Sequence, residues 1–145
     1  MRRHRHEVIL VDDESAQRVA LSARLTEAGF TVLPARHGRA ALQLLTLGIR
    51  PCVILVDVIK PCVAGAEFRR ALSYEPAFCG IPVIVLAARD AGLTAIAYAN
   101  AFDVSGLRER ADRACPPCAG FRRPPSFRVV DLARRRSRTH RALGG

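Results

Sequence analysis

Tryptophan is absent from the 145 residues, and tyrosine occurs only twice, so the core has to be aliphatic. No apolar run approaches the roughly 20 residues of a membrane span, which excludes a spanning helix. The basic start Met1-Arg-Arg-His-Arg-His6 leads into an apolar run too short for a signal peptide. Five cysteines, at 52, 62, 79, 115 and 118, are odd in number and scattered. They make no disulfide framework and suit a reducing compartment, so a cytosolic protein is expected. No phosphate-cradling loop and no spare nucleophile–base pair is present, which argues against an enzyme with an independent substrate. Residues 119–145 contain no segment of helix-turn-helix length either, which argues against a sequence-specific transcription output domain. Lysine occurs once, at Lys60, the other 22 basic residues being arginines. Acidic residues are scarce at one end: residues 115–145 hold eight arginines and one aspartate, whereas residues 1–114 hold 15 basic and 12 acidic residues. The basic character therefore belongs to the end of the chain and not to its bulk.

What remains is enough for one domain with a tail, since half of the residues are apolar. Cys52-Val-Ile-Leu-Val56 is a continuous apolar run bounded by Pro51 and Pro61, which reads as a strand buried on both faces. It ends in Asp57. A second such run, Val8-Ile-Leu-Val11, ends in Asp12 and Asp13. Carboxylates at the carboxyl ends of parallel strands point into the crevice where open sheets bind ligands. Between these runs, residues 14–28 have helical spacing, with Gly29 at the position of a C-terminal cap. Further elements are expected as a strand over 30–33, a helix over 38–45, a helix over 65–72, a strand over 81–86 and a helix over 92–99. Strict β-α alternation with continuous apolar strands predicts a parallel sheet covered on both faces. Past residue 99 the alternation fails. Only residues 100–104 are available for a fifth strand before a helix over 106–113, so that strand is expected to be shortened.

The motifs taken together resemble a bacterial two-component response-regulator receiver domain of the CheY-like kind. They are Val11-Asp-Asp-Glu14; Arg18 with Leu21, Leu25 and Gly29; Ala35-Arg-His-Gly38 with Ala41 and Leu42; Asp57-Val-Ile-Lys-Pro61; Gly65 with Glu67 and Phe68; and Ile81-Pro-Val-Ile-Val-Leu-Ala-Ala88. The resemblance runs from about residue 7 to residue 114. It implies an α/β, flavodoxin-like doubly wound parallel sheet of strand order 2-1-3-4-5, in which the first and third strands are neighbours and Asp12, Asp13 and Asp57 crowd together. Carboxylates that close oppose one another's ionisation unless a cation neutralises them, and Mg2+ suits carboxylate oxygens with waters and a phosphate. By this resemblance Asp12, Asp13, Asp57 and the Ile59 carbonyl hold Mg2+. Asp57 is then the phosphoacceptor, served by a sensor histidine kinase or a phosphotransfer protein and passing its signal to a downstream protein. Such a domain is a signalling phosphoacceptor and not an enzyme, beyond weak self-phosphorylation and autodephosphorylation.

Two departures touch the mechanism. The family's Ser or Thr after the fourth strand is replaced by Ala87, and no lysine follows Lys60 to serve as the lysine after the fifth strand. Phe102 matches either the aromatic of strand five or the phenylalanine that follows the missing lysine. Lys60 and Arg89 are candidate substitutes, weighed against simple solvation at the rim; arginine clamps phosphate well. Both departures imply impaired switching. Cys115-Pro-Pro-Cys118 has redox or zinc spacing, but zinc wants four ligands, and the only histidine beyond it is His140. It also lacks a strand-to-helix setting. His4, His6 and His37 read as surface residues. The division expected is a basic extension over 1–6, a receiver over 7–114 and an arginine- and proline-rich disordered tail over 115–145. That tail is either solvated or in weak contact with nucleic acid or an anionic surface. The function expected is a stand-alone, degenerate receiver. Its rival is a pseudo-receiver that docks partners without phosphorylation, and a third class is a nucleic-acid-associated protein led by the arginine tail.

Overall fold

Side chains that alternate between the two faces of the central strands set the layers. The computed structural model describes residues 4–57, 63–78, 80–86, 94–115 and 127–130, with the backbone alone at 63–67, 69 and 127–130. β1 (Glu7–Asp12) is buried from its second residue onward and β3 (Val53–Asp57) throughout, as strands covered on both faces require. Val8 and Leu10 of β1, Val53 and Leu55 of β3, and Ile84 and Leu86 of β4 (Val83–Leu86) point to one face. There they meet Leu21 and Leu25 of α1 (Ser15–Glu27), Tyr98 of α4 (Ala95–Ala101) and Leu107 of α5 (Val104–Ala114). Ile9, Val11, Ile54, Val56 and Val83 point to the other face. That face is closed by Ala41 and Leu45 of α2 (Gly38–Thr46) and Phe68 and Leu72 of α3 (Val63–Tyr74). The fold is a doubly wound α/β sandwich whose core is mostly aliphatic, with Phe30, Phe68, Tyr98 and Phe102 the buried aromatics among the described residues.

β2 (Thr31–Ala35) and β5 (Phe127–Val130) complete a sheet of order β2-β1-β3-β4-β5, parallel at every pairing. The helix over 14–28 forms as expected. Gly29 follows it at a φ of 98°, its N–H donating to the Thr26 carbonyl at 3.0 Å while the Phe30 N–H donates to that of Leu25 at 3.1 Å; only glycine takes that left-handed φ without strain. Gly38 has a different reason: a Cβ there would come within 2.8 Å of the Phe68 Cβ, so the α2–α3 contact depends on its absence.

Three expectations are corrected. No strand forms over 100–104. The alanine-rich segment is the helix α4, capped by the Thr94 hydroxyl, which accepts from the Ala97 N–H at 3.1 Å. Asp103 caps a new helix by accepting from the Gly106 N–H at 3.0 Å. Strong helix formers flanked by two capping side chains override a short strand signal. The fifth strand comes instead from Phe127–Val130, inside the segment assigned to the tail, in register from Val83 opposite Phe127 to Leu86 opposite Val130. Phe102 belongs to no strand: it ends α4 with its ring in the core on the α1 and α5 face. His6 is not a surface residue but is buried, stacked on Phe30 at 6.2 Å and 2.6 Å from Asp112. His37 is exposed, and its Nδ1 caps α2 by accepting from the Ala40 N–H at 3.1 Å.

Candidate functional site

Register decides what the sheet presents at its carboxyl edge. β1 and β3 are neighbours, and their last residues, Asp12 and Asp57, are paired Cα to Cα. Both side chains are buried, Asp12 at 0% and Asp57 at 6% exposure. Leu86, the last residue of β4, stands on the other side of Asp57. Asp13 follows Asp12 and is exposed.

The turn from β1 into α1 is built around the same acids. The Glu14 N–H donates to Asp12 Oδ1 at 3.0 Å, and the Arg18 guanidinium donates to the Asp12 carbonyl at 2.8 Å. The Gln17 amide donates to Asp57 Oδ2, while its own Oε1 is buried without a hydrogen-bond partner among the described residues. α1 also begins here, so the positive end of its dipole favours negative charge at this edge.

Asp12 and Asp57 are thus brought together, with Asp13 beside them. Ile59, Lys60, Ala87 and Arg89 lie outside the described residues, and Phe102 is buried in the core on the α1 and α5 face. Gln17 is the residue that the motifs did not flag. Its signal was present: residues 17, 21 and 25 are spaced by four, and Gln17, Leu21 and Leu25 form the buried stripe of α1. A polar residue in such a stripe needs a polar partner.

The donor set suits a hard cation. Two buried carboxylates at adjacent strand ends need neutralisation, and a third carboxylate and an amide oxygen stand next to them. Oxygen donors of this kind match Mg2+ and not a thiophilic metal.

No family model matches the chain. Among proteins of known role, it is similar to the response regulator MprA of Mycolicibacterium vanbaalenii, 36% identical over 83 residues that make up 57% of this chain and 35% of that one. It is also similar to the protein PilH of Pseudomonas aeruginosa, 30% identical over 83 residues, which cover 57% of this chain and 68% of PilH. The chain spans about a third of the length of the MprA relatives it matches. Among solved structures, a receiver domain from Methanospirillum hungatei has a TM-score of 0.55 and 28% identity, covering 74% of this chain and 92% of that one. The receiver domain of a signal transduction histidine kinase from Syntrophus aciditrophicus has a TM-score of 0.58 and 25% identity, covering 86% and 98%. The chemotaxis response regulator CheY4 of Vibrio cholerae shares the fold, with a TM-score of 0.56 at 21% identity and coverage of 97% and 98%. A strand order of 2-1-3-4-5, buried aspartates in register on its two central strands and relatives on both counts lead to one conclusion: this chain belongs to the response regulator receiver family.

Proposed function

We propose that Asp57 accepts a phosphoryl group from a sensor histidine kinase or a phosphotransfer protein, making the chain a cytoplasmic receiver in two-component phosphorelay signalling. One observation carries this reading, the Cα pairing of buried Asp12 with buried Asp57 at the carboxyl edge of adjacent strands. An Asp57 carboxylate oxygen attacks phosphorus as the bond from phosphorus to the donor imidazole breaks. The product is an acyl phosphate, and the released imidazole takes its proton from solvent. A carboxylate nucleophile needs no separate base, so positioning and charge neutralisation do most of the catalysis. Asp12 and Asp13, with Asp57 and the Ile59 carbonyl, would hold Mg2+, whose charge offsets that of the transferring group.

Ala87 and the lack of any lysine after Lys60 weaken the response. Losing one preorganised charge stabiliser costs on the order of a hundred- to a thousand-fold in rate. Because a ligand shifts an equilibrium only by its differential affinity, a phosphoryl group lacking those contacts switches the domain little. Arg89 is the nearest candidate replacement in sequence, and Arg89→Ala is expected to slow phosphorylation by acetyl phosphate. Unchanged kinetics would assign Arg89 to the solvated rim.

The Gln17 amide bound to Asp57 favours a second reading, a pseudo-receiver that docks a downstream protein without phosphorylation. Incubation with Mg2+ and acetyl phosphate, followed by intact-mass measurement, separates the two. One added phosphoryl in the wild type and none in Asp57→Asn is the expected result; none in either protein selects the pseudo-receiver.

A further inference from the structure

At the opposite edge of the sheet a second constellation forms, with different chemistry. His4 and His6 lie in the lead-in to β1, Cys52 directly precedes β3, and Cys115 ends α5. The Cys52 N–H donates to the Glu7 carbonyl at 2.8 Å, which docks the start of β3 against the start of β1. The Cys115 N–H donates to the Ala111 carbonyl at 2.8 Å, which fixes the helix end. One donor atom from each of the four side chains lies within 4.8 Å of all the others. His4 Nε2 is 3.1 Å from Cys52 Sγ. His6 and Cys115 are buried, and Cys52 and Cys115 are not joined to each other in a disulfide.

A second observation points to a ligand. His6 Nε2 is 2.6 Å from Asp112 Oδ1, while His6 Nδ1 is buried and has no hydrogen-bond partner among the described residues. With Nε2–H donated to the carboxylate, the tautomer is fixed and Nδ1 carries a lone pair. A metal-bound histidine is held in this way, its far nitrogen donating to a carboxylate.

We propose that His4, His6, Cys52 and Cys115 bind one zinc ion, through His6 Nδ1 and both sulfurs, with Asp112 positioning His6. Two imidazoles and two sulfurs select a borderline-soft metal over Mg2+, and a site without an open position is structural. Tetrahedral zinc places neighbouring donors about 3.3–3.8 Å apart, so the cluster has to contract by only about 1 Å. Two thiol protons leave to solvent on binding, and the resulting thiolates balance the charge of the ion. The ion would tie together the start of β1, the start of β3 and the end of α5. It lies about 16 Å from the aspartates by the rise of β1, and it stands independently of the phosphoacceptor proposal.

The test uses the full chain without a histidine tag, reduced and stripped of metal. Titration with Co2+ is expected to give the visible bands of tetrahedral cobalt and a thiolate charge-transfer band, saturating at one equivalent and bleached by Zn2+. Cys52→Ser and Cys115→Ser are expected to lose the charge-transfer intensity, with Cys62→Ser, Cys79→Ser and Cys118→Ser unchanged. Asp112→Asn keeps the bands but weakens binding about 10- to 100-fold. Absence of tetrahedral bands in the wild type overturns the proposal. So does a site lost in Cys118→Ser but kept in Cys52→Ser, which would put the metal on Cys115-Pro-Pro-Cys118. Alkylation of the wild type, mapped by peptide mass, covers variants that fail to fold: zinc should shield Cys52 and Cys115, and equal labelling with and without zinc overturns the assignment.

Discussion

Gln17 constrains Asp57, because its amide donates to the carboxylate from inside the protein. A hydrogen bond to a charged group is worth roughly 1.5–3 kcal/mol, and removing the donor leaves a buried carboxylate less well satisfied. Part of that loss is returned, since Gln17→Met also removes a buried oxygen that has no partner among the described residues. Without Mg2+ the substitution is expected to lower unfolding free energy by about 1–2 kcal/mol, and by less at saturating Mg2+. By linkage, Mg2+ then binds the variant more tightly. Urea denaturation at two Mg2+ concentrations reads this directly; equal losses at both would uncouple Gln17 from the cation. Asp12 and Asp57 were legible in the sequence because each terminates an apolar run, where a charge stands out. Gln17 was harder to see, since a glutamine in an amphipathic helix looks like part of its solvated face until its spacing to Leu21 and Leu25 is noticed. His6 was illegible for the same kind of reason. Its burial comes from Phe30 and Asp112, both distant in sequence.

The pair α4 and α5 shows how local signals compete. A glycine inside a helix usually gains up to about 1 kcal/mol on replacement by alanine. Gly106 should do the reverse, because a Cβ there would come within 2.3 Å of Asp103 Oδ2 and displace the cap of α5. Gly106→Ala is expected to cost about 1 kcal/mol, the worth of an N-cap, by thermal or urea unfolding. Asp103→Ala should cost a similar amount. The double variant should be more stable than the sum of the two implies, since alanine at 106 no longer meets the carboxylate. Additive losses would show that the cap and the glycine act separately. The first four strands and their helices could be read from the sequence because their periodicity runs unbroken. The fifth strand could not. Four residues beyond two prolines and between arginines give too little period-two signal, and parallel pairing with β4 supplies what local preference does not.

On the scale of the whole molecule, β5 covers the edge of β4, and an uncovered edge is a template for another chain. A chain ending at residue 126 is therefore expected to melt at lower temperature and to self-associate with concentration in sedimentation, whereas one ending at residue 130 should behave as the full chain. Equal behaviour would make β5 dispensable. The same cut at 130 removes five of the arginines. If that segment contacts anionic polymers, salt-sensitive retention on heparin should fall while the sheet stays whole. The carboxyl edge of the sheet gathers oxygen donors and the amino edge gathers sulfur and nitrogen, so the two ends differ in the ions they suit.

β5 also bears on how the protein is made. Synthesis runs from the amino end, so the codons for residues 127–130 are read long after both aspartates have left the ribosome. Until then the nascent chain carries its paired aspartates beside an unfinished rim, and a frameshift late in the message that spares Asp57 would still release a sticky, incomplete domain.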